Sequence, residues 1–240
     1  MHNSPAVFVL IPSRYHASRL PGKALLRIGD ETVIQKVYRQ ASLSKYSTQV
    51  ITDHPKIAES IHSIQGKVQL RRQQANNGTE RIFHYLLEND QDIHPNSIIV
   101  NVQGDEPLLN PLNIQKLVES FSNTDTCIAS LYGDLVSTDF YTMGHRVKVH
   151  IDNDYAITFE RIVEGNELKW FKHIGIYAFR WKTLKALMKL PPSAREIDLS
   201  LEQLRWLDHG YSIRMVKGYS NGISIDTSSD ILEARNFLNS

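Results

Sequence analysis

Three cations, Arg14, Arg19 and Lys23, crowd one short segment, Ser-Arg-Tyr-His-Ala-Ser-Arg-Leu-Pro-Gly-Lys, which directly follows the apolar run Val7-Phe8-Val9-Leu10-Ile11. Like charges held together repel one another unless a ligand with several clustered negative charges binds between them, and a nucleoside triphosphate meets that requirement best. A second group is Asn101-Val102-Gln103-Gly104-Asp105-Glu106-Pro107, at the end of another apolar run. A strand running into Gly104-Asp105 puts a carboxylate at the sheet's carboxyl edge, suited to Mg²⁺, which takes one or two protein carboxylates and completes its octahedron with phosphate oxygens and water. Taken alone, a Gly-Asp pair reads more readily as a turn. A second carboxylate, Asp226, stands before Thr227-Ser228-Ser229-Asp230, which matches a capping box opening a final helix. Alone it reads as a carboxylate that satisfies helix amides. Asp105 and Asp226 make a metal site only if the fold brings them together.

The elements that must position these residues follow from hydrophobic periodicity. Strands are predicted over 7–11, 49–52, 68–70, 98–102, 127–131, 147–151, 156–159, 174–179 and 213–216. Helices are predicted over 32–41, where Thr32 and Gln35 match a capping box, and over 79–87, 112–121, 181–190, 199–208 and 231–238. Strand-helix-strand alternation in the first 120 residues predicts an α/β fold with a mainly parallel sheet and helices on both faces. Ligands of such sheets sit beyond the carboxyl ends of the strands, where the cationic segment emerges. From about residue 140 the pattern changes to a hairpin turning at Asp152-Asn153-Asp154, so residues 140–180 are expected to form a small inserted α+β lobe within one domain spanning 1–240.

Composition narrows the function further. The chain has 240 residues, 41% of them hydrophobic, and 27 basic against 26 acidic residues leave a net charge of +1. That balance argues against a protein that coats nucleic acid or an anionic membrane, so basic function has to be local. The single cysteine, Cys127, has no partner for an internal disulfide, fits a reducing compartment and reads as a small buried hydrophobe. No apolar run is long enough to span a membrane and the first residues do not resemble a signal peptide, so the expected location is the cytoplasm. A P-loop is excluded because Ala24 follows Gly22-Lys23 and the motif's first glycine is absent.

In combination, these blocks resemble the 3-deoxy-manno-octulosonate (Kdo) cytidylyltransferases. The resemblance rests on Ile11-Pro12-Ser13-Arg14, Ser18-Arg19-Leu20-Pro21-Gly22-Lys23 and Asn101 to Pro107, and continues through Asn77-Gly78-Thr79-Glu80-Arg81, Val147-Lys148-Val149, Lys172-His173-Ile174-Gly175-Ile176-Tyr177, Leu201-Glu202-Gln203-Leu204-Arg205 and Asp226-Thr227, in the family's order across the chain. It implies a Rossmann-like, GT-A-like nucleotidyltransferase sheet and transfer of CMP from CTP to the anomeric hydroxyl of an acidic eight-carbon sugar, with release of pyrophosphate. Arg14, Arg19 and Lys23 would then hold the triphosphate, and Asp105 and Asp226 would hold Mg²⁺. Main-chain groups at Ile11, Pro12 and Ser13, with Gln103, would read cytosine, and Asn77 and Gly78 would lie on the nucleotide side. Arg161, His173, Tyr177 and Gln203 would face the sugar, the planar Arg161 fork suiting a carboxylate. Without the resemblance, Arg161 reads as a solvated hairpin residue, His173 as a satisfied core residue and Gln203 as part of an exposed helix face.

The resemblance also implies a homodimer and a place in lipopolysaccharide biosynthesis. Departures from the family pattern are Asn77 for a serine, His54 after Thr52-Asp53, Ala24 for a proline, a shortened stretch after Arg161 and Leu199 for a glutamate. The shortened stretch and Leu199 touch the sugar side, which leaves a modified Kdo such as an amino form open as the substrate. Two alternatives are a nucleotidyltransferase for another acidic sugar, such as a nonulosonic acid, and a non-catalytic CTP-binding paralogue. The presence of Lys23, Asp105 and Asp226 together disfavours the second.

Overall fold

In β1 (Val7–Ser13), Val9 and Ile11 are buried on one side and Leu10 on the other, so the strand has to be covered on both faces. The same alternation recurs in β6 (Ile98–Asn101), where Val100 and Ile99 join opposite core clusters. A computed structural model describes residues 5–16, 20–144, 146–164, 169–219 and 223–239.

The chain runs from β1 through a 3₁₀ turn at Lys23–Leu25 to the short hairpin β2 (Arg27–Ile28) and β3 (Glu31–Thr32). Then come α1 (Val33–Ser42), β4 (Ser47–Thr52), α2 (Pro55–His62), β5 (Val68–Leu70), α3 (Gly78–Leu87), β6, α4 (Pro111–Glu119), β7 (Ile128–Leu135) and α5 (Thr138–Tyr141). The remainder is β8 (Lys148–Asp152), β9 (Tyr155–Glu160), β10 (Trp170–Arg180), α6 (Trp181–Leu187), α7 (Ala194–Leu199), α8 (Glu202–Asp208), β11 (Arg214–Lys217) and α9 (Ser228–Asn239).

Nine strands form one sheet in the order β5-β4-β1-β6-β10-β7-β11-β9-β8. The register predicted for the first 120 residues is present, with β5, β4, β1 and β6 all parallel. Beyond β6 the sheet becomes mixed, because β10 runs antiparallel to both β6 and β7 while β11 is parallel to β7. The segment expected as an inserted lobe contributes β8, β9 and β10 to this same sheet. The eleven-residue β10 joins the two parts, pairing with β6 through Tyr177 to Arg180 and with β8 through Trp170 to Lys172.

Helices α1, α2, α4 and α9 cover one face and α3, α6 and α8 the other, each through apolar residues at helical spacing such as Val33, Ile34, Val37 and Ala41. Burial of side chains such as Phe179, Trp181 and Trp206, which are fully enclosed, stabilises the layers by about 1.5–3 kcal/mol each. Thr32 and Gln35 form the predicted capping box of α1. The helix expected over 199–208 is α8 and starts at Glu202, because Ser200, with a left-handed φ of 51°, ends the preceding short helix α7, which the periodicity did not predict. Cys127, a free thiol just before β7, is half-buried, less enclosed than expected. No described helix is long and apolar enough to cross a membrane.

Candidate active site

At the carboxyl end of β1 the chain leaves the core through buried Ile11 and Ser13 and turns into the cationic loop. Arg19 lies outside the described residues; Arg14 is exposed and lines a cavity of about 290 Å³ together with Pro12, Ser13 and Lys23. The far side of the loop closes when the Gly22 amide donates to the Tyr15 carbonyl at 2.9 Å, with Gly22 at φ 72°, a conformation that glycine adopts without steric cost. The near side is tied to the end of β4, where Asp53 accepts from the Tyr15 amide at 3.1 Å and from the buried Arg81 guanidinium at 2.9 Å. Tyr15 and His54 stack with ring centroids 4.0 Å apart.

The carboxyl end of β6 meets this loop from the next strand. A Cβ at Gly104 would lie 2.8 Å from the Pro12 carbonyl oxygen, so only glycine lets the backbone that carries Asp105 come this close to β1. The Asp105 carbonyl accepts from the Ile225 amide at 2.8 Å, which draws in the segment before α9. Lys23 Nζ then donates to Asp105 Oδ2 at 2.5 Å, to the Ile225 carbonyl at 2.9 Å and to Asp226 Oδ1 at 3.1 Å. Burial alone would lower the Lys23 pKa, but the charges and hydrogen bonds of Asp105 and Asp226 outweigh it and hold the ammonium above its ordinary value. Asp226 is fixed by its own amide, which donates to Asp230 at 2.9 Å, and the Thr227 amide donates to the same oxygen at 2.7 Å. Asp105, Asp226 and the Ile225 carbonyl form a set of hard oxygen donors around one cation, the chemistry Mg²⁺ selects. Among the described residues no group of three or more His, Cys, Asp or Glu is placed to hold a metal, so a cation there would complete its shell from a ligand's oxygens and water.

A second cavity of about 340 Å³ opens on the other side of the two aspartates, and the two cavities share Asn77, Gly78, Gln103, Asp105 and Asp226. Arg161, His173, Tyr177 and Gln203 all line the larger one. His173 is hydrogen-bonded through Nε2 to Ser130 at 2.9 Å and packs edge-on to Phe159; burial lowers its pKa to about 3, so the ring is neutral. Tyr177 also lines this cavity, with its hydroxyl enclosed in the wall, and burial holds its phenol pKa well above the ordinary value. Arg161 donates through Nε to the Leu199 carbonyl at 2.6 Å, through Nη2 to Ser200 at 3.1 Å and through Nη1 to Gly144 at 3.3 Å, so its fork already holds main-chain oxygens.

Three contributors escaped the sequence reading. Glu202, beside Gln203, accepts from Asn77 at 3.1 Å and from Thr79 at 2.6 Å, joining the starts of α8 and α3; burial pushes its pKa up to about 7. Glu106 is likewise held at about 7, by burial and then by the Asp105 charge. Asp53, paired with Arg81, secures the cationic loop. Glu202 and Asp53 have their partners far away in the chain, whereas Glu106 and Glu202 each offered a signal by standing beside a residue already singled out.

A family model described as cytidylyltransferase matches residues 8–214. The chain is 32% identical to a 3-deoxy-manno-octulosonate cytidylyltransferase of Bacteroides thetaiotaomicron, over 95% of this chain and 96% of that protein. It is 35% identical to an 8-amino-3,8-dideoxy-manno-octulosonate cytidylyltransferase of Shewanella sp. (strain ANA-3), over 94% and 95% respectively. Its fold is similar to that of a CMP:2-keto-3-deoxy-manno-octonic acid synthetase solved in complex with CTP, with a TM-score of 0.88, 30% identity and 98% of each chain covered. A putative glucose-1-phosphate thymidylyltransferase of Bacillus anthracis, 19% identical with a TM-score of 0.69 over 97% of this chain and 95% of that one, shares the fold. The geometry of the aspartate pair and the extent of these matches lead to one conclusion: the chain belongs to the 3-deoxy-manno-octulosonate cytidylyltransferase family.

Proposed function

We propose that this enzyme transfers CMP from CTP to the anomeric hydroxyl of 3-deoxy-manno-octulosonate or a close acidic analogue, releasing pyrophosphate. The observation that carries this reading is that two cavities meet at Asp105 and Asp226. Two substrates bound one in each would meet along this shared wall, and the new phosphorus–oxygen bond would form beside the two carboxylates. On the smaller side, Arg14 and Lys23 face the triphosphate and Gln103 offers an amide to the base. On the larger side, neutral His173 and the Gln203 amide offer hydrogen-bonding groups to a polyhydroxylated sugar, with Tyr177 in the same wall.

Such a transfer needs no covalent nucleophile; it needs in-line placement and neutralisation of the charge that grows on the leaving oxygen. Mg²⁺ held by Asp105 and Asp226 would supply that neutralisation and make the attacking hydroxyl more acidic. Lys23 Nζ fills the space between the same carboxylates, so Mg²⁺ bound there would free the ammonium to pair with the phosphates.

The relatives divide between the unmodified acid and its 8-amino form, and pyrophosphate release with CTP and each of Kdo, 8-amino-Kdo and a nonulosonic acid separates those readings. Release with none of them, alongside retained CTP binding, would leave a nucleotide-binding protein without transferase activity. Leu135 at the end of β7, Ile157 in β9 and Ile162 just after it are strongly exposed apolar side chains, which supports a homodimer formed through this half of the sheet; light scattering on the purified chain tests it. Use of CTP supports a cytoplasmic reaction that supplies lipopolysaccharide assembly.

A further inference from the structure

An octulosonate carries its carboxylate on the carbon that bears the anomeric hydroxyl. If that hydroxyl attacks beside Asp105 and Asp226, the cation that recognises the carboxylate has to lie next to those aspartates, on the wall of the larger cavity. Arg161 is the evident candidate by chemistry, but each of its three side-chain nitrogens already donates to a main-chain carbonyl, of Leu199, Gly144 or Ser200, which ties its fork to the backbone. Arg146 lines the same cavity and is in a different state. Its side chain is 20% exposed, and its ionic partner is Asp230, at 3.9 Å, beyond hydrogen-bond reach. Asp230 is already committed to the Asp226 and Thr227 amides and the Thr227 hydroxyl, so it attracts the guanidinium without filling its donors. Because Asp230 also holds the Asp226 amide, Arg146 sits one ion pair away from a proposed metal ligand.

We propose that Arg146 is the specificity-determining cation for the sugar's carboxylate, and that Arg161 acts as a positioning residue for the loop that presents it. The loop is secured from both sides of Arg146. Arg161 donates to the Gly144 carbonyl, the buried Lys148 ammonium donates to the Met143 carbonyl at 2.8 Å, and the Arg146 amide donates to the same Met143 oxygen at 2.9 Å. Lys148 also donates to the Arg161 carbonyl, which closes the frame. A planar fork on a fixed loop suits a carboxylate, which accepts two parallel hydrogen bonds. Arg146 would also favour an acid over a neutral sugar of the same shape, because a neutral group would leave the guanidinium without a partner.

This assignment rests on the cytidylyl-transfer reading, and one set of assays separates the two. The full-length wild type, Arg146→Met, Arg146→Lys and Arg161→Met are compared in pyrophosphate release with CTP and the ulosonate, then with its C1 carboxamide, and in thermal denaturation. Arg146→Met is expected to raise the sugar KM about 10- to 100-fold, the range for hydrogen bonds to a charged group, with CTP KM and the thermal midpoint unchanged. It should also lose the preference for acid over amide, and Arg146→Lys should restore part of both. Arg161→Met is expected to lower the thermal midpoint as well, because it leaves three carbonyls without donors. An active wild type with an unaltered sugar KM, or an unaltered acid preference, in Arg146→Met overturns the assignment alone. A wild type that releases no pyrophosphate with either acidic octulosonate overturns the functional reading and the assignment with it.

Discussion

The two cavities that share Asp105 and Asp226 are built by opposite means. On the nucleotide side, the ends of parallel strands β1 and β6 deliver their residues by local sequence: Pro12, Ser13 and Arg14 in one run, and Gln103, Gly104 and Asp105 in another. Charge is exposed or half-buried there and stands ready for a polyanion. On the sugar side, residues come from β10, the α7–α8 link, the start of β8 and the start of α3, and their polar groups are largely buried and already hydrogen-bonded to one another. A triphosphate is recognised mainly through charge, which tolerates water and small displacements. The hydroxyls of a sugar are told from those of its analogues by pre-set donors and acceptors, which requires burial and rigid supports.

The first way to break this comparison is at the boundary. Asp105→Asn or Asp226→Asn should lower kcat about 10³-fold or more at saturating concentrations of both substrates, because both halves converge on these carboxylates. A change confined to one substrate's KM would show that the boundary belongs to only one cavity. Asp53→Ala strikes the nucleotide half. It leaves the buried Arg81 guanidinium without its counter-ion and the Tyr15 amide without an acceptor, so unfolding free energy should fall by about 2–3 kcal/mol. CTP KM should rise while sugar KM stays put, and steady-state titration of each substrate checks the split.

A smaller effect, in the sugar half, comes from Glu202. Its folded pKa of about 7 lies above the ordinary carboxylate value of 4.5, so the fold favours the protonated form. The resulting stabilisation is complete below the ordinary value and is lost as pH rises through about 7. Denaturant titrations from pH 4 to pH 8 should therefore show wild-type stability declining over that interval, with a flatter profile in Glu202→Gln; parallel profiles would mean that Glu202 titrates normally. The smallest effect is expected at Arg195, whose exposed ion pair with Asp208 belongs to neither cavity. Arg195→Ala should change stability by less than about 1 kcal/mol and leave both KM values alone.

Legibility in the sequence follows the same division. The β-α alternation, the Thr32–Gln35 capping box and the cap that opens α9 were readable because each depends on residues a few positions apart. The break at Ser200 was not, since a single left-handed residue inside a helical pattern leaves no periodic trace. Nor was the antiparallel course of β10, because its partners β6, β7 and β8 lie at different distances along the chain and either direction satisfies its alternation.

The sequence by itself determined the ingredients: a cationic loop after a strand, a carboxylate at another strand's end and a second before a helix, each set by local backbone preference. Only the tertiary structure decided that Lys23 joins Asp105 across 82 positions and Asp226 across 203, and that the Arg161 fork holds main-chain carbonyls while that of Arg146 does not. Hydrogen bonds and ion pairs act over a few ångströms of space, and distance along the chain does not report that separation once a sheet has folded.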